Sequence, residues 1–478
     1  MSIGIAKIDL DTIRDLQKEL HEPSNNEELI SYFYREFSKS TWYTHLPIRL
    51  DCNVMNEKDL TYTVNNTFDF LLYVYKRDFF PALRVKKEFR GRVEICWPHN
   101  LGHNTVISAQ VKIDDDVLQT IDTIWYDIYS QFYMKPGYRD QYNIYVGNIP
   151  ALEQWSDFLP EYTTNVPQPF YHARDPSLAI PLLYCSLSKV TYHYKIRARI
   201  SDLLRMRLCV DNEPERPGDY YDKGHRWRNI PCNLKYIEGA DSTGKLSIPE
   251  LWGRYVYLTD DEREWIKCNF KETGRIYYID DVIPCKAVNG GKLGFNVSVD
   301  LDCKTPCKAL FWVAENLTAK KNNNFSNYTT NAENLYIGWN PISMYSLNYS
   351  GTSRFENMSS DHSDKMEPWY HFLSPPSDPG YNVYSFSMLS TSLDAEVGLV
   401  MAGLKTSLIV SLGNTDPFLK PVRSTDSKPI IEELEQDSIS KMSGDDEFMV
   451  HARLLVTKKL TFTFNADKDR FFLTVSPK

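Results

Sequence analysis

The stretch VTYHYKIRARI, residues 190–200, alternates in character: Val190, Tyr192, Tyr194 and Ile196 fall on one side of an extended chain, Lys195 and Arg197 on the other. Successive side chains of a β-strand point to opposite faces, so this pattern predicts a strand with one buried and one wet face. The basic residues between Lys189 and Arg207, interleaved with tyrosines, also resemble a nucleic-acid-binding stripe. Alternation sends the tyrosines inward, so the structural reading is preferred.

The same period of two recurs outward from this segment. It is seen in LTYTVNN (60–66), FDFLLYVYK (68–76), RVEICW (92–97) and TVISAQVKI (105–113), and later in LWGRYVYL (251–258), RIYYIDDVI (275–283), KLGFNVSVDL (292–301), KALFWVAENL (308–317), YNVYSFSML (381–389), KTSLIVSL (405–412) and KKLTFTFN (458–465). Turn residues separate these runs. The run DQYNIYVGNIPALEQWSDFLPEYTTNVPQPF (140–170) holds four prolines and reads as a long ordered loop. Residues 319–334, AKKNNNFSNYTTNAEN, read as an exposed loop, and 413–447 as a charged insert. Convincing helical spacing is confined to residues 9–39, where Ile13, Leu16 and Leu20 and then Leu29, Tyr32 and Phe33 recur around a break at Pro23. No βα alternation is visible, so two antiparallel sandwiches side by side are predicted. The division is an N-terminal arm (1–44), a first β domain (45–207), a linker (208–249) and a second β domain (250–478).

Bulk properties agree. A chain of 478 residues suits two domains. With 13% aromatic residues, 31 Tyr and 26 Pro against 21 Gly, it suits many short strands joined by Pro-rich turns. A net charge of −9 argues against coating nucleic acid, which needs a basic surplus. The first twenty residues carry Lys7, Asp9, Asp11, Arg14 and Asp15, which no secretory signal tolerates, and the apolar stretch 397–412 is interrupted by Lys405. The expected compartment is the cytosol, with nine reduced cysteines. The sequons at Asn65, Asn296, Asn316, Asn324, Asn327, Asn348 and Asn357 are therefore expected to carry no ordinary glycan.

Motifs that carry chemistry elsewhere are weak here. GADSTGK (239–245) nearly spells a phosphate-binding loop, but Leu246 stands where a magnesium-binding hydroxyl is needed, and Pro249 and a strand follow instead of a helix. Cys303 and Cys307 lack a second ligand pair at zinc spacing and read as core thiols. Asp114, Asp115 and Asp116 read as a solvated turn rather than a calcium site. No histidine pairs with a nucleophile elbow. No catalytic, cofactor-binding or metal-binding residue is assigned.

Specific strings resemble the major capsid proteins of nucleocytoplasmic large DNA viruses, the group containing iridoviruses and phycodnaviruses. SYFYREFSKST (31–41) is similar to the arm before that family's first barrel. LGHNTVISAQVKIDDDVLQTIDTIWYDIY (101–129) resembles its two strands and Trp-Asp-Ile corner, with Trp125 and Asp127. YNIYVGNIPALEQW (142–155) resembles its Gly-Asn loop, with Gly147, Asn148 and Pro150. PFYHARDPSLAIPLLYCSLSKVTYHYKIR (169–197) is similar to the strand pair closing the first barrel, with Arg174, Pro176 and Pro181. LWGRYVYLTDDER (251–263) looks like the strand opening the second barrel, with Trp252, Tyr255, Tyr257, Glu262 and Arg263. PCKALFWV (306–313) supplies Phe311 and Trp312, SRFENMSSDHSDKMEPWYHF (353–372) resembles an Arg-Phe loop, and PGYNVYSFSM (379–388) supplies Tyr384 and Phe386. The matches keep one order from about residue 30 to 412.

The family pattern is broken at Asp114–Asp116, at DAEVGLVMAG (394–403) and at the C-terminal KKLTFTFNADKDRFFLTV (458–475). These departures also fit a minor capsid or scaffold paralogue. The resemblance implies an all-β fold of two tandem eight-stranded antiparallel jelly rolls, no enzymatic activity, no cofactor and location in the virion after assembly in the host cytoplasm. It further implies a homotrimeric, pseudo-hexagonal capsomer meeting minor capsid and penton proteins, with an inner membrane possible beneath the shell and no direct nucleic-acid contact. Trp125, Trp252 and Trp312 are expected in barrel cores. A carbohydrate-binding β-sandwich is the remote rival; it calls for an exposed aromatic platform or a carboxylate pair.

Overall fold

In the computed structural model, which describes residues 43–476 apart from 186–187, 217, 242, 389, 392–397, 401–404, 414–445 and 466–469, alternation becomes two pairs of packed antiparallel sheets. In the first half, one sheet runs in the order Tyr43–Arg49, Glu250–Leu258, Phe70–Phe80, Tyr162–Pro167. Facing it is a sheet ordered Asp51–Val54, Asp59–Thr63, Val190–Ile196, Val106–Ile113, Asp116–Asp122. In the second half, Arg275–Pro284, Phe448–Asn465, Pro306–Asn316 and Tyr381–Ser385 face Asn296–Leu301, Thr406–Leu412, Ile342–Tyr349 and Thr352–Ser359. In each half a strand from late in the sequence, Glu250–Leu258 in the first and Phe448–Asn465 in the second, inserts between the first strand and a middle strand, which is the wiring of a jelly roll. The chain is a double jelly roll.

That wiring corrects the division expected at residue 250. Glu250–Leu258 pairs with Tyr43–Arg49 along its length (Tyr43 opposite Leu258, Arg49 opposite Trp252) and with Phe70–Phe80 on its other edge. It is the closing strand of the first barrel, and Gly253 lies among Leu50, Leu71 and Tyr255 where a larger side chain would collide. Local pattern marks a strand but not its partner, because pairing is non-local. Residues 208–249 are accordingly an excursion within the first barrel. They supply Tyr220–Asp222 and His225–Ile230, which join Arg205–Cys209 and Val93–Cys96 in a separate sheet. Trp97, Leu101, Leu152, Ile200, Leu203 and Ile237 give this lobe its own core.

Other expectations also change. The stretch 140–170 contains helices Arg139–Val146 and Pro150–Glu153 and the strand Tyr162–Pro167, which pairs with Phe70–Phe80. The Trp-Asp-Ile corner is a helix, Thr123–Phe132, capped where the Asp122 carboxylate accepts from the Trp125 N–H at 2.9 Å. The acidic turn after residue 258 begins a helix, Asp260–Thr273, whose first turn holds Asp260, Asp261 and Glu262 at the positive end of its dipole. The helical arm read at 9–39 lies outside the described residues, as does nearly all of the insert 413–447.

The Asn-rich segment expected to be exposed is largely buried: Asn324, Asn327, Tyr328 and Thr329 are all nearly inaccessible. A loop can be buried only if its backbone groups find partners, and short amide side chains supply them. Asn316 Oδ1 accepts from Thr318 and Ala319 N–H, Asn327 Oδ1 from Thr329 N–H, and Asn331 Oδ1 from Glu333 and Asn334 N–H. The asparagines that suggested a solvated loop are what allow it to be covered. They also bury three of the seven sequon asparagines, Asn316, Asn324 and Asn327.

Candidate functional site

Two neighbouring residues show how the halves are joined. Strand Pro306–Asn316 is buried almost end to end, the mark of a strand covered on both faces. Trp312 points into the second barrel's core, with its ring 4.9 Å from that of Tyr345. Phe311 points the other way, into a layer shared with the first barrel, where Trp125, Phe132 and Phe372 stand 5.4–5.5 Å from it. One continuous apolar cluster thus runs from Leu71 and Tyr192 of the first half to Phe311 and Leu455 of the second.

A buried polar network borders this layer. Asp127 is fully inaccessible. Its Oδ1 accepts from Asn100 Nδ2 at 2.9 Å and faces His103 Nδ1 at 2.7 Å, and its Oδ2 accepts from Tyr328 Oη of the second half at 2.9 Å. Asn148 extends the network, accepting from Asn100 N–H at 2.6 Å. Gly147 makes that approach possible by ending its helix at φ 91° against Leu101. A second bridge is ionic. Asp280 lies between the Arg174 guanidinium and Lys308 Nζ, the latter at 2.8 Å, and Arg174 also covers the Tyr133 ring at 4.9 Å. Arg453 pairs with Asp122. At a third point His99 sits between Glu153 (2.7 Å) and Asp378 (3.5 Å). Burial alone would push its imidazole down, but the two carboxylates outweigh it and hold the pKa near 10. Removing one partner from such a buried pair is far costlier than the pair's net worth, so these bridges fix one relative orientation of the barrels.

The remaining signature residues are local fasteners. Pro150 and Pro176 start short helices, and Pro181 lies in a two-residue strand opposite Phe70. Tyr255 is buried and its hydroxyl accepts from Asn65 N–H at 3.2 Å. Arg263 grips Asp69 at 2.6 and 3.0 Å while lying over Tyr257, and Glu262 is half-exposed beside it. Tyr384 and Phe386 pack at the rim of the second core. Trp125 and Trp312 are buried, but Trp252 is only half-buried. It stacks on Tyr75 on the outer face of its sheet, because the inward positions of this stretch are the odd-numbered Leu251, Gly253 and Tyr255.

Sequence reasoning missed Asp280, Tyr328 and Asp378. For Asp280 a signal existed: two adjacent carboxylates inside the apolar strand RIYYIDDVI demand buried cations, and Asp281 indeed pairs with Lys458 at 2.5 Å. Among the described residues one group of potential metal ligands converges, Cys209, Asp211 and His225; Cys303 and Cys307 are buried thiols outside it.

Comparison with known proteins agrees with this architecture. A family model described as the major capsid protein N-terminus matches residues 31–259, and one described as the large eukaryotic DNA virus major capsid protein matches residues 270–407. The major capsid protein of Tipula iridescent virus is 24% identical over 410 residues, covering 81% of this chain and 82% of its own length. That of Lymphocystis disease virus 1 is 25% identical over 437 residues, covering 87% and 88%. In fold, the chain is similar to the Faustovirus major capsid protein (TM-score 0.65, 9% identity, 94% of each chain) and to VP54 of PBCV-1 (TM-score 0.62, 11% identity, 94% and 100%). The boundary between the two family matches, 259 to 270, falls just after the strand that closes the first barrel. With a double jelly roll whose halves are locked into one block, and family matches spanning both halves, the chain belongs to the major capsid proteins of large eukaryotic DNA viruses, structural and not enzymatic components of the virion.

Proposed function

We propose that three copies associate into a pseudo-hexagonal capsomer, residues 43–258 and 275–476 of each copy forming its two barrels, and that these capsomers tile the shell. The observation that supports this is the outer face of the first barrel's sheet. Tyr73, Phe79 and Tyr257 are each more than 40% exposed there, in line with the stacked Tyr75 and Trp252. Aromatic residues are enriched at protein interfaces, and a stable obligate contact buries about 2,000 Å² or more. Head-to-tail contacts close under three-fold rotation and leave no free sticky face. Around such capsomers, minor capsid and penton proteins occupy the seams and vertices, with an inner membrane beneath and no direct contact with the genome; the net charge of −9 supports the last point.

Light scattering on the purified chain tests the trimer, with three times 55.6 kDa expected. A Tyr73→Glu/Phe79→Glu variant should run as a monomer that keeps the wild-type circular dichroism spectrum, since both side chains already face solvent in the single chain. A wild-type monomer at micromolar concentration, or a charged variant that stays trimeric, overturns the respective claim.

A further inference from the structure

The lobe inserted into the first barrel carries a cluster that the capsid role does not use. Strand Arg205–Cys209 runs antiparallel to His225–Ile230, with Cys209 opposite Trp227. The hairpin from Tyr220–Asp222 into His225–Ile230 turns through Lys223 (φ 48°) and Gly224 (φ 81°), which places His225 at the start of its strand. Just beyond Cys209 the ladder continues for one more bond, Val210 N–H to Arg226 O at 2.8 Å. Asp211 Oδ1 then accepts from Arg226 N–H at 2.6 Å, which fixes the plane of the carboxylate. Its other oxygen, Oδ2, faces Cys209 Sγ at 3.3 Å and His225 Nδ1 at 2.7 Å. The three donor atoms lie within 4.8 Å of one another.

We propose that Cys209, Asp211 and His225 form a binding site for a divalent cation of the zinc class. One sulfur, one imidazole nitrogen and one carboxylate oxygen are the mixed donor set that suits borderline-soft ions, whereas magnesium and calcium take oxygen ligands. Bonds of about 2.3 Å to sulfur and about 2.0–2.2 Å to nitrogen and oxygen put tetrahedral donors roughly 3.2–3.7 Å apart. The Sγ–Oδ2 spacing already falls in that range, and the Nδ1–Oδ2 gap has to open by about half an ångström, a small rotation for an exposed histidine. Binding replaces both hydrogen bonds: the thiol proton leaves to solvent, and the imidazole proton moves from Nδ1 to Nε2. The Arg226 N–H bond to Oδ1 plays the orienting part that outer partners play around metal ligands. Asp211 and His225 are exposed, so the fourth position faces solvent and stays open. Both chain segments that supply ligands belong to the lobe, so a bound ion ties the hairpin to the strand beside it.

The test is a titration of the reduced, chelator-treated full chain with cobalt(II) alone. The expected result is a near-ultraviolet thiolate charge-transfer band with visible ligand-field bands, saturating at one ion per chain and erased by added zinc. Trp227, whose ring lies 6.4 Å from that of His225, should report the same saturation by fluorescence. Cys209→Ser should remove the charge-transfer band, and His225→Ala should weaken binding by more than about 10-fold. Cys268→Ser, altering the most exposed cysteine among the described residues, should change nothing. Because none of the three ligands is a core residue, the variants should melt with the unliganded wild type, and melting verifies that they are folded. Absence of a thiolate band at one equivalent overturns the proposal, as does a band that survives Cys209→Ser or disappears with Cys268→Ser.

Discussion

Phe311 and Trp312 are adjacent, both fully buried and both large, yet replacing them by alanine should have different consequences. Large-to-alanine substitutions in a packed core cost about 3–5 kcal/mol. At about 2–4 °C per kcal/mol for a cooperative unit of 150–250 residues, each should lower melting by roughly 6–20 °C. The distinction is where the loss is felt. Trp312→Ala opens a cavity against Tyr345 inside the second barrel, so hydrogen exchange should accelerate in Asn296–Leu301, Ile342–Tyr349 and Thr406–Leu412. Phe311→Ala removes the ring that meets Trp125, Phe132 and Phe372, so protection should fall in Thr123–Phe132 of the first half and around residue 372. The assay is exchange mass spectrometry at matched fractions of the melting temperature. If both variants deprotect the same peptides, the shared layer between the barrels is not a distinct packing unit and the reasoning is refuted.

His172 is buried between Leu72 O and the Tyr192 hydroxyl, each at 2.9 Å, and burial pushes its pKa down to about 4. Its stability contribution is complete above the unfolded value near 6.5 and declines as the pH falls toward 4, by up to about 3 kcal/mol; His172→Gln should flatten that part of a denaturation-versus-pH curve, and an unchanged slope would exclude His172 as its cause. Gly239, at φ 97°, faces Ala82 O at a distance where a Cβ would sit 2.2 Å away. Gly239→Ala should therefore destabilise by more than about 1 kcal/mol, and it should do so equally with and without ATP; protection by ATP would revive the phosphate-loop reading. Native thiol labelling should modify Cys268 first, while Cys96, Cys185, Cys303 and Cys307 react only on unfolding; early labelling of any of these four would contradict their burial.

Strand identity was legible wherever one face is dry. Val190, Tyr192, Tyr194 and Ile196 are all buried as the alternation requires. What period two cannot show is the partner. Nothing local in LWGRYVYL says that it pairs with residues more than 170 positions upstream, and its position after a polar stretch invited assignment to the next domain. Helix Thr123–Phe132 was hidden because Ile124, Trp125, Ile128 and Tyr129 read equally well in a short strand. The seam was legible only through its anomalies, the paired aspartates at 280–281 and the continuous apolar run at 309–314. Asparagine content misled because polarity was taken for solvation, when in this loop the amides replace water. The cluster in the lobe escaped notice because Cys209 and His225 are far from the spacing of zinc ligand pairs and are brought together by a hairpin turn.

The closing strand of the first barrel has a bearing on how the protein is made. During synthesis Tyr43–Arg49 and Phe70–Phe80 emerge long before Glu250–Leu258, the strand that must lie between them. At ~5–20 residues per second, their facing edges wait on the ribosome for roughly ten seconds or more with backbone donors and acceptors unfilled, open to pairing with a neighbouring nascent chain. The barrel therefore closes late and through contacts remote in sequence, which makes its folding slow and makes a holding chaperone most valuable in that interval.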